Sequence, residues 1–171
     1  MRTIFKALIP CVMALSLIGW SGTANAGGSI GGGIHYLRNL GDISNSTVNL
    51  DQNSIGLIGS YQHSLALLKV EGNIEYIFNY IGTDKAMWEP SAYVLTNGVI
   101  YGGAGIGIGH IDGDWQNDPF YALRLGVNFG LAGLALDVFG TYRFQNDSEL
   151  KATTGEDLDS ITFAAVARFG M

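Results

Sequence analysis

Charged side chains recur at alternate positions within otherwise apolar stretches of this sequence. Lys69, Glu71 and Glu75 share one such stretch. Four more charged residues occupy the same kind of position further along the chain: Arg124, Asp137, Arg143 and Arg168. Four cations and three anions on one face of a sheet can pair and hydrogen-bond with each other. In a narrow interior, these residues predict either a polar plug that fixes strand register or the lining of an ion path.

The residue types that catalysis needs are sparse. The histidines are His35, His63 and His110, and no recognisable catalytic motif surrounds any of them, although His63 precedes Ser64. A motif counts only in its structural context, so the sequence predicts no catalytic, cofactor or metal site.

One acidic segment leaves an alternative open. Residues 112–118 read Asp-Gly-Asp-Trp-Gln-Asn-Asp, without the Gly at position 6 and the Glu at position 12 of an EF-hand loop. A second acidic segment contains Asp147, Glu149, Glu156, Asp157 and Asp159. We expect solvated loop surface at both places, with binding of divalent cations as the alternative.

The elements that must position the charged residues are strands. From Leu68 to Tyr80 apolar residues alternate with polar ones, with Ile77 as the exception, and a period of two is that of a strand. The pattern recurs at about 29–38, 54–62, 86–96, 99–111, 121–129, 134–144 and 161–169. Eight strands result, each close to the roughly 9–11 residues that cross a bilayer at a tilt.

The connections between these strands alternate in length. Short ones fall at 63–66, at Asn97-Gly98, which predicts a two-residue hairpin, and at 130–133. Long ones fall at about 39–53, 81–90, 112–119 and 146–160, and Pro90 and Pro119 are expected at edges of these long loops. Alternation of this kind predicts an up-and-down arrangement with all long loops at one end.

The N-terminus predicts an export signal. Arg2 and Lys6 precede an apolar stretch at 7–20, and the segment ends in Ala24-Asn25-Ala26, a pattern that signal peptidase cleaves. The apolar stretch is short for a membrane anchor, which is the alternative. Residues 1–26 are therefore predicted to be a signal peptide and residues 27–171 a single domain.

Composition sets the class of this domain. Only 14% of the residues are charged, against roughly 25% in a typical soluble domain. The stretch 27–171 has 7 Lys and Arg against 15 Asp and Glu, a formal net charge of −8, so no basic surface indicates nucleic acid. No apolar run after residue 26 is long enough to span a membrane as a helix. We predict an all-β fold: a single closed antiparallel up-and-down transmembrane β-barrel of about eight strands.

The two faces of the strands differ, and their composition indicates which one points outward. The polar face is mostly Gly, Ala, Ser, Thr and Asn rather than the dense Lys and Glu of a soluble barrel. Aromatic residues lie near strand ends on the apolar face, as expected at a headgroup boundary: Tyr36, Tyr61, Tyr80, Tyr121, Phe129, Tyr142, Phe144 and Phe169. The apolar face is therefore predicted to point outward. Inward glycines at 103, 105, 107 and 109 are expected to leave unfilled volume.

These features resemble one known superfamily. The predicted signal and strands, the Gly-rich run Tyr101–Gly107 and the ending Arg168-Phe169 are similar to the small outer-membrane β-barrels of porin-like, opacity and adhesin type. The resemblance implies the outer membrane of a Gram-negative bacterium, contact with lipid and lipopolysaccharide, insertion by the outer-membrane assembly machinery, and a possible surface ligand at the external loops. Such barrels usually end on an aromatic residue, whereas Gly170 and Met171 follow Phe169 here.

Three functions remain open. The first is a structural or surface-interaction barrel whose lumen is plugged by the seven charged residues. The second is a narrow porin-like channel for ions or small solutes. The third is a lipid-modifying outer-membrane enzyme, which ranks last because no Ser/His pair is visible at the external rim.

Overall fold

The computed structural model describes residues 27–40, 53–65, 67–80, 84–116, 118–131, 134–144 and 159–170. The predicted signal peptide, residues 41–52 and residues 145–158 lie outside these described ranges. The ten strands are β1 (Gly28–Asn39), β2 (Asn53–Ser64), β3 (Leu68–Ile77), β4 (Met87–Thr96), β5 (Ile100–Gly107), β6 (His110–Ile111), β7 (Asp114–Trp115), β8 (Phe120–Leu131), β9 (Leu134–Phe144) and β10 (Ser160–Gly170). No helix in the described ranges is both long and apolar enough to cross a membrane.

Eight of these strands close into an antiparallel barrel. The order along the sheet is β3-β2-β1-β10-β9-β8-β5-β4, and a further pairing of β3 with β4 closes it. The short strands β6 and β7 form a hairpin that extends the sheet from β4. Sequence neighbours pair throughout, and the first and last strands pair with each other. The predicted closed barrel of about eight strands is confirmed.

The barrel has two distinct ends. The strand ends on either side of the three short connections, 65–67, 97–99 and 132–133, lie at one end together with Gly28 and Gly170, and we call this the turn end. The strand ends on either side of the long connections lie at the opposite end, which we call the loop end. The alternation of short and long connections therefore follows the predicted order.

The two faces of the barrel also follow the predicted direction. Large apolar side chains point outward along every barrel strand, as with Ile34 on β1 (61% exposed) and Leu125 on β8 (66% exposed). The alternate positions point inward and are buried, and they carry most of the polar and charged strand residues. A wall that is apolar outside and polar inside suits lipid rather than water as its surroundings.

Pro90 departs from its expected place at the edge of a loop. It lies inside β4 and is paired with Ile74 of β3. Proline has no N–H to donate to a ladder, and the neighbouring ladder is interrupted there, since β4 pairs with β5 only from Ser91 and with β6 only up to Trp88. The Pro90 carbonyl still accepts a hydrogen bond from the Ile108 N–H at 3.1 Å.

Two turns also differ from expectation. The connection at Asn97 has three residues rather than two. The Asn97 side-chain amide donates a hydrogen bond to the Leu65 carbonyl of the adjacent turn (2.6 Å). A two-residue hairpin that the sequence did not predict forms at the start of the third predicted loop (112–119). There Asp112 and Gly113 both have positive φ (55° and 92°), as a two-residue turn between β6 and β7 requires.

Tyr80 was expected on the outer face, and this expectation is wrong. β3 ends at Ile77, and Asn79 takes a left-handed conformation (φ 47°) that breaks the alternation. Tyr80 consequently turns towards the interior and packs against an apolar cluster of Leu37, Ile77 and Met87 at the loop end. Ile77, the exception in the polar set, is thus a core residue with no exposed surface.

Candidate functional site

The interior of the barrel holds all seven charged residues that the sequence singled out. Each is at most 5% exposed: Lys69, Glu71, Glu75, Arg124, Asp137, Arg143 and Arg168. They come from β3, β8, β9 and β10. Buried charges are tolerated only when they are paired and hydrogen-bonded, and their contacts divide them into two groups along the barrel axis.

The first group lies towards the turn end, and we call it the turn-end cluster: Lys69, Glu71, Arg124, Asp137 and Arg168. Glu71 is its centre, with Arg124 Nη1 2.8 Å from one carboxylate oxygen and Arg168 Nη2 3.0 Å from the other. Gln62 on β2 donates a further hydrogen bond to Glu71 at 2.8 Å. The Glu71 carboxylate therefore has donors from three other strands.

Arg168 links this centre to β9 and β2. Its Nε donates to Asp137 at 2.7 Å, and its Nη1 donates to the Ser60 hydroxyl at 2.6 Å. The Tyr101 hydroxyl donates to the other oxygen of Asp137 at 2.7 Å. The ammonium of Lys69 lies 4.3 Å from the centre of the Tyr101 ring, a cation–π contact.

Arg124 is held between two aromatic rings as well as by its ion pair. Its guanidinium carbon lies 3.6 Å from the Tyr93 ring centre and 3.9 Å from that of Phe139. Its Nε donates to the Thr141 hydroxyl at 3.1 Å. Stacking, ion pairing and hydrogen bonding together fix this side chain across the lumen.

The second group lies towards the loop end, and we call it the loop-end cluster: His35, Glu75, Glu89 and Arg143. Arg143 bridges two carboxylates, with Nη2 2.6 Å from Glu75 and Nη1 2.6 Å from Glu89. His35 Nδ1 lies 3.1 Å from the Glu75 oxygen that Arg143 also contacts. All four side chains are nearly or completely buried.

Glu89 is a site residue that sequence reasoning missed. It falls where the predicted loop (81–90) and the predicted strand (86–96) overlap, and it precedes Pro90. The signal that could have found it is its spacing, because Glu89, Ser91, Tyr93 and Leu95 are alternate residues and all point inward. With Glu89, the interior contains four carboxylates against four Lys and Arg side chains among the described residues.

The glycine-rich wall does not leave the open volume that was expected. A Cβ at Gly105 would lie 2.3 Å from the Tyr93 ring, and one at Gly107 would lie 2.3 Å from the Phe120 ring. Tyr101 covers Gly126 in the same way, at 2.5 Å. Aromatic rings thus fill the space beside the glycines, which is why these positions lack side chains.

These inward aromatic residues form an apolar cluster inside the barrel with Ile58, Leu95, Ala122, Ala164 and Val166. Phe139 has the same alternation as Asp137 and Thr141, so the sequence placed it on the inner face without indicating that it fills the lumen. The described interior is therefore a packed core of ion pairs and rings.

A small cavity opens beside the loop-end cluster. It is lined by Leu37, Tyr80, Glu89, Gln116, Phe120, Arg143 and Ser160, with about 20 Å³ available to the centre of a water molecule. This volume is enough for about one water. Burial, followed by the nearby Glu89 charge, raises the pKa of the Tyr80 phenol to about 12, so Tyr80 stays protonated at physiological pH.

The histidines do not come together into a catalytic arrangement. His35 lies inside the barrel, His63 lies at the turn end of β2, and His110 packs edge-to-face against Trp115 at the loop end with ring centres 4.8 Å apart. Asp112, from the acidic third loop, pairs with Lys85. Within the described ranges, no group of three or more His, Cys, Asp or Glu side chains is arranged to hold a metal ion.

Comparison with solved structures identifies the class of fold. Neisserial surface protein A matches with a TM-score of 0.63 and 13% identity, over 85% of this chain and 99% of that protein. Ail, the attachment invasion locus protein of Yersinia pestis, matches at 0.51 and 17%, over 85% and 99%. The outer membrane protein OprG from Pseudomonas aeruginosa matches at 0.50 and 13%, over 88% and 98%.

These likenesses show the fold, which is that of the small eight-stranded outer-membrane β-barrels. The resemblance drawn from the sequence is thereby confirmed at the level of fold. No protein-family model matches the chain, and no curated protein sequence matches it.

Proposed function

We propose that this chain is a structural or surface-interaction barrel of a Gram-negative outer membrane, with a lumen closed by its own side chains and loops presented outside the cell. The observation that carries the proposal is the filled interior. Paired charges connect strands across the lumen, and aromatic rings occupy the space beside the glycines. A lumen of eight strands is only wide enough for its own side chains.

The composition of the outer wall is that expected for a barrel surrounded by lipid. Its exposed side chains are apolar along the middle of the strands, and aromatic residues follow near both ends. Tyr36, Tyr121 and Tyr142 are exposed at the loop end, and Phe129 and Phe169 are exposed at the turn end. Such belts are expected where strands leave the hydrocarbon layer.

The distribution of charge supports a role for the loop end. The lumen is formally neutral, and by sequence the other 11 Asp and Glu of residues 27–171 all fall in the long connections at the loop end. The three turn-end connections contain no charged residue. We infer that the loop end faces the outside of the cell. There its acidic surface would contact lipopolysaccharide through bridging divalent cations, or would bind a cationic surface ligand directly.

The remaining parts of the proposal follow from this arrangement. Residues 1–26 would act as a cleaved signal peptide, and the assembly machinery of the outer membrane would insert residues 27–171. The matched proteins are described as a surface protein, an outer membrane protein and an attachment protein, which supports a non-enzymatic role here.

Cysteine labelling of intact cells tests the location and the orientation. Cys11 is the only cysteine, and it lies in the predicted signal peptide, so single cysteines can be introduced into an otherwise thiol-free mature chain. We expect Asp114→Cys at the loop end to react with a membrane-impermeant maleimide on intact cells. The matched variant Val99→Cys at the turn end should react only after lysis, because both side chains are exposed at opposite ends.

Mass spectrometry of the same samples should show a mature chain beginning at Gly27. Labelling of Val99→Cys but not of Asp114→Cys on intact cells would contradict the orientation. Recovery of the protein outside the outer-membrane fraction would contradict the location.

A further inference from the structure

The loop-end cluster contains more negative than positive charge. Glu75 and Glu89 are direct partners across the β3–β4 ladder, and both point inward. Arg143 is the one guanidinium that contacts them among the described residues. Like charges at directly opposed positions of a sheet repel each other, and a buried charge without its own counter-ion is costly.

The neighbouring groups do not supply a second permanent cation. His35 reaches Glu75 from β1 and is a cation only when it is protonated, and Arg124 on β8 is held by Glu71 and Thr141. The remaining titratable neighbours are the phenols of Tyr80, which follows β3, and Tyr93 on β4. On the other described strands, the inward side chains at this level are uncharged: Ile58 on β2, and Ser160 and Thr162 on β10.

The two carboxylates are not held equally well. Glu75 accepts an aligned hydrogen bond from Arg143 Nη2 at 2.6 Å and has His35 Nδ1 at 3.1 Å. Glu89 Oε1 lies 2.6 Å from Arg143 Nη1, but it accepts no aligned hydrogen bond from the described residues. Glu89 also lines the water-sized cavity at the loop end, which gives it a route for exchange with solvent.

We propose that the loop-end cluster is a proton-binding site in which Glu89 carries one proton while Glu75 remains paired with Arg143. A neutral Glu89 removes the repulsion across the β3–β4 ladder and leaves one carboxylate for one guanidinium. The site makes the loop-end half of the plug sensitive to pH, whereas the turn-end cluster, where each carboxylate has several donors, is not. The proposal does not depend on the outer-membrane role.

Isotope-edited NMR of the refolded protein tests the site directly. The chain contains five Glu residues, so labelling the glutamate side-chain carboxyl carbon gives five signals, which Glu→Gln variants assign. At about pH 7 we expect the Glu89 signal at the position of a protonated acid, moving to the carboxylate position as the pH rises. The Glu71 signal should stay at the carboxylate position throughout.

Unfolding in urea gives a second and independent measurement. If unfolding releases one proton, the equilibrium constant for unfolding changes by up to about tenfold per pH unit. An unfolded glutamate loses its proton near its ordinary pKa of about 4.3, whereas Glu89 keeps its proton in the folded state. The wild-type protein should therefore lose stability as the pH rises from about 5 through neutral, until Glu89 is deprotonated in the folded state as well. Glu89→Gln mimics the protonated acid, so it should fold with at least wild-type stability and lose this dependence.

The matched control is Glu71→Gln in the turn-end cluster, which is expected to lower stability at every pH and to keep the wild-type pH dependence. A Glu89 signal at the carboxylate position at about pH 7 would overturn the proposal. A loss of stability in Glu89→Gln as large as that in Glu71→Gln would also overturn it. If Glu89→Gln does not fold, the wild-type spectrum still decides, because one protonated signal is expected and none is the contradicting result.

Discussion

The turn-end and loop-end clusters both pair arginine with carboxylates, but the carboxylates in them receive different numbers of hydrogen bonds. Glu71 in the turn-end cluster receives donors from β2, β8 and β10. Glu89 in the loop-end cluster has a single cationic neighbour, Arg143, and that guanidinium also serves Glu75. The difference shows that burial alone does not make a charged side chain part of a rigid network. The number and alignment of the hydrogen-bond donors to a carboxylate decide whether its side chain is held in one position.

The contrast extends to the other polar atoms in and around the two clusters. Next to the turn-end cluster, Ser60, Gln62 and Tyr101 each have a hydrogen bond to a charged partner. In the loop-end cluster, His35 Nε2 and Arg143 Nε have no hydrogen-bond partner among the described residues. We therefore expect the turn-end cluster to contribute more to the stability of the barrel, and the loop-end cluster to change its hydrogen bonds and protonation more readily.

The largest expected effect comes from removing the guanidinium that links three strands of the turn-end cluster. Arg168→Met would remove one hydrogen-bond donor, within 3.0 Å, from each of Glu71, Asp137 and Ser60. Breaking a buried pair in this way costs about 3–5 kcal/mol. Urea unfolding, followed by the mobility of unboiled protein on gels, measures the loss.

Arg38→Met is the control for that experiment. Arg38 is an exposed arginine on β1, and substitutions at exposed sites usually change stability by less than about 0.5 kcal/mol. Equal losses in the two variants would mean that the turn-end cluster contributes nothing beyond a surface charge.

An intermediate effect is expected where aromatic packing supports Arg124. Gly105→Leu would place a side chain where the Tyr93 ring lies, 2.3 Å from the added Cβ, and would push Tyr93 away from the Arg124 guanidinium. Overpacking of this kind costs about 1–3 kcal/mol. The matched control is Gly72→Ala, whose Cβ would meet nothing within 4 Å. A Gly105→Leu variant as stable as this control would show that the lumen contains unfilled volume beside Gly105.

The smallest effect is expected from a single hydrogen bond at the junction of the two clusters. Thr141→Val removes the hydroxyl that accepts from Arg124 Nε at 3.1 Å and should lower the unfolding free energy by about 1 kcal/mol. Thr162→Val is the control, because Thr162 is equally buried but donates only a long hydrogen bond of 3.5 Å to the backbone. A larger loss in Thr162→Val would contradict the assignment.

Much of the fold could be predicted because the wall of this barrel separates two environments. An apolar outer face and a narrow polar interior impose a period of two, and β9 begins and ends at the residues that the alternation gave, Leu134 and Phe144. The alternation fails at Asn79, just after the end of β3, where the backbone takes a positive φ. At Pro90 the alternation continues, but the ladder on one side of β4 is interrupted.

The interior was harder to predict than the wall. Alternation assigns a residue to the inner face but carries no information on which residues meet across the lumen. The separation of Glu71 from Glu75 into two clusters depends on the stagger of eight strands, which no local pattern contains. For the same reason, the sequence suggested free volume beside Gly105, whereas Tyr93 from the neighbouring strand fills it.

The central claim is that the lumen is closed, and planar-bilayer conductance of the refolded mature protein tests it most directly. Folding is first verified by the gel shift between boiled and unboiled samples. We predict a folded protein that inserts and shows no discrete conductance steps. Discrete steps whose size changes in Arg124→Gln would contradict the account, because the paired charges would then line an open ion path.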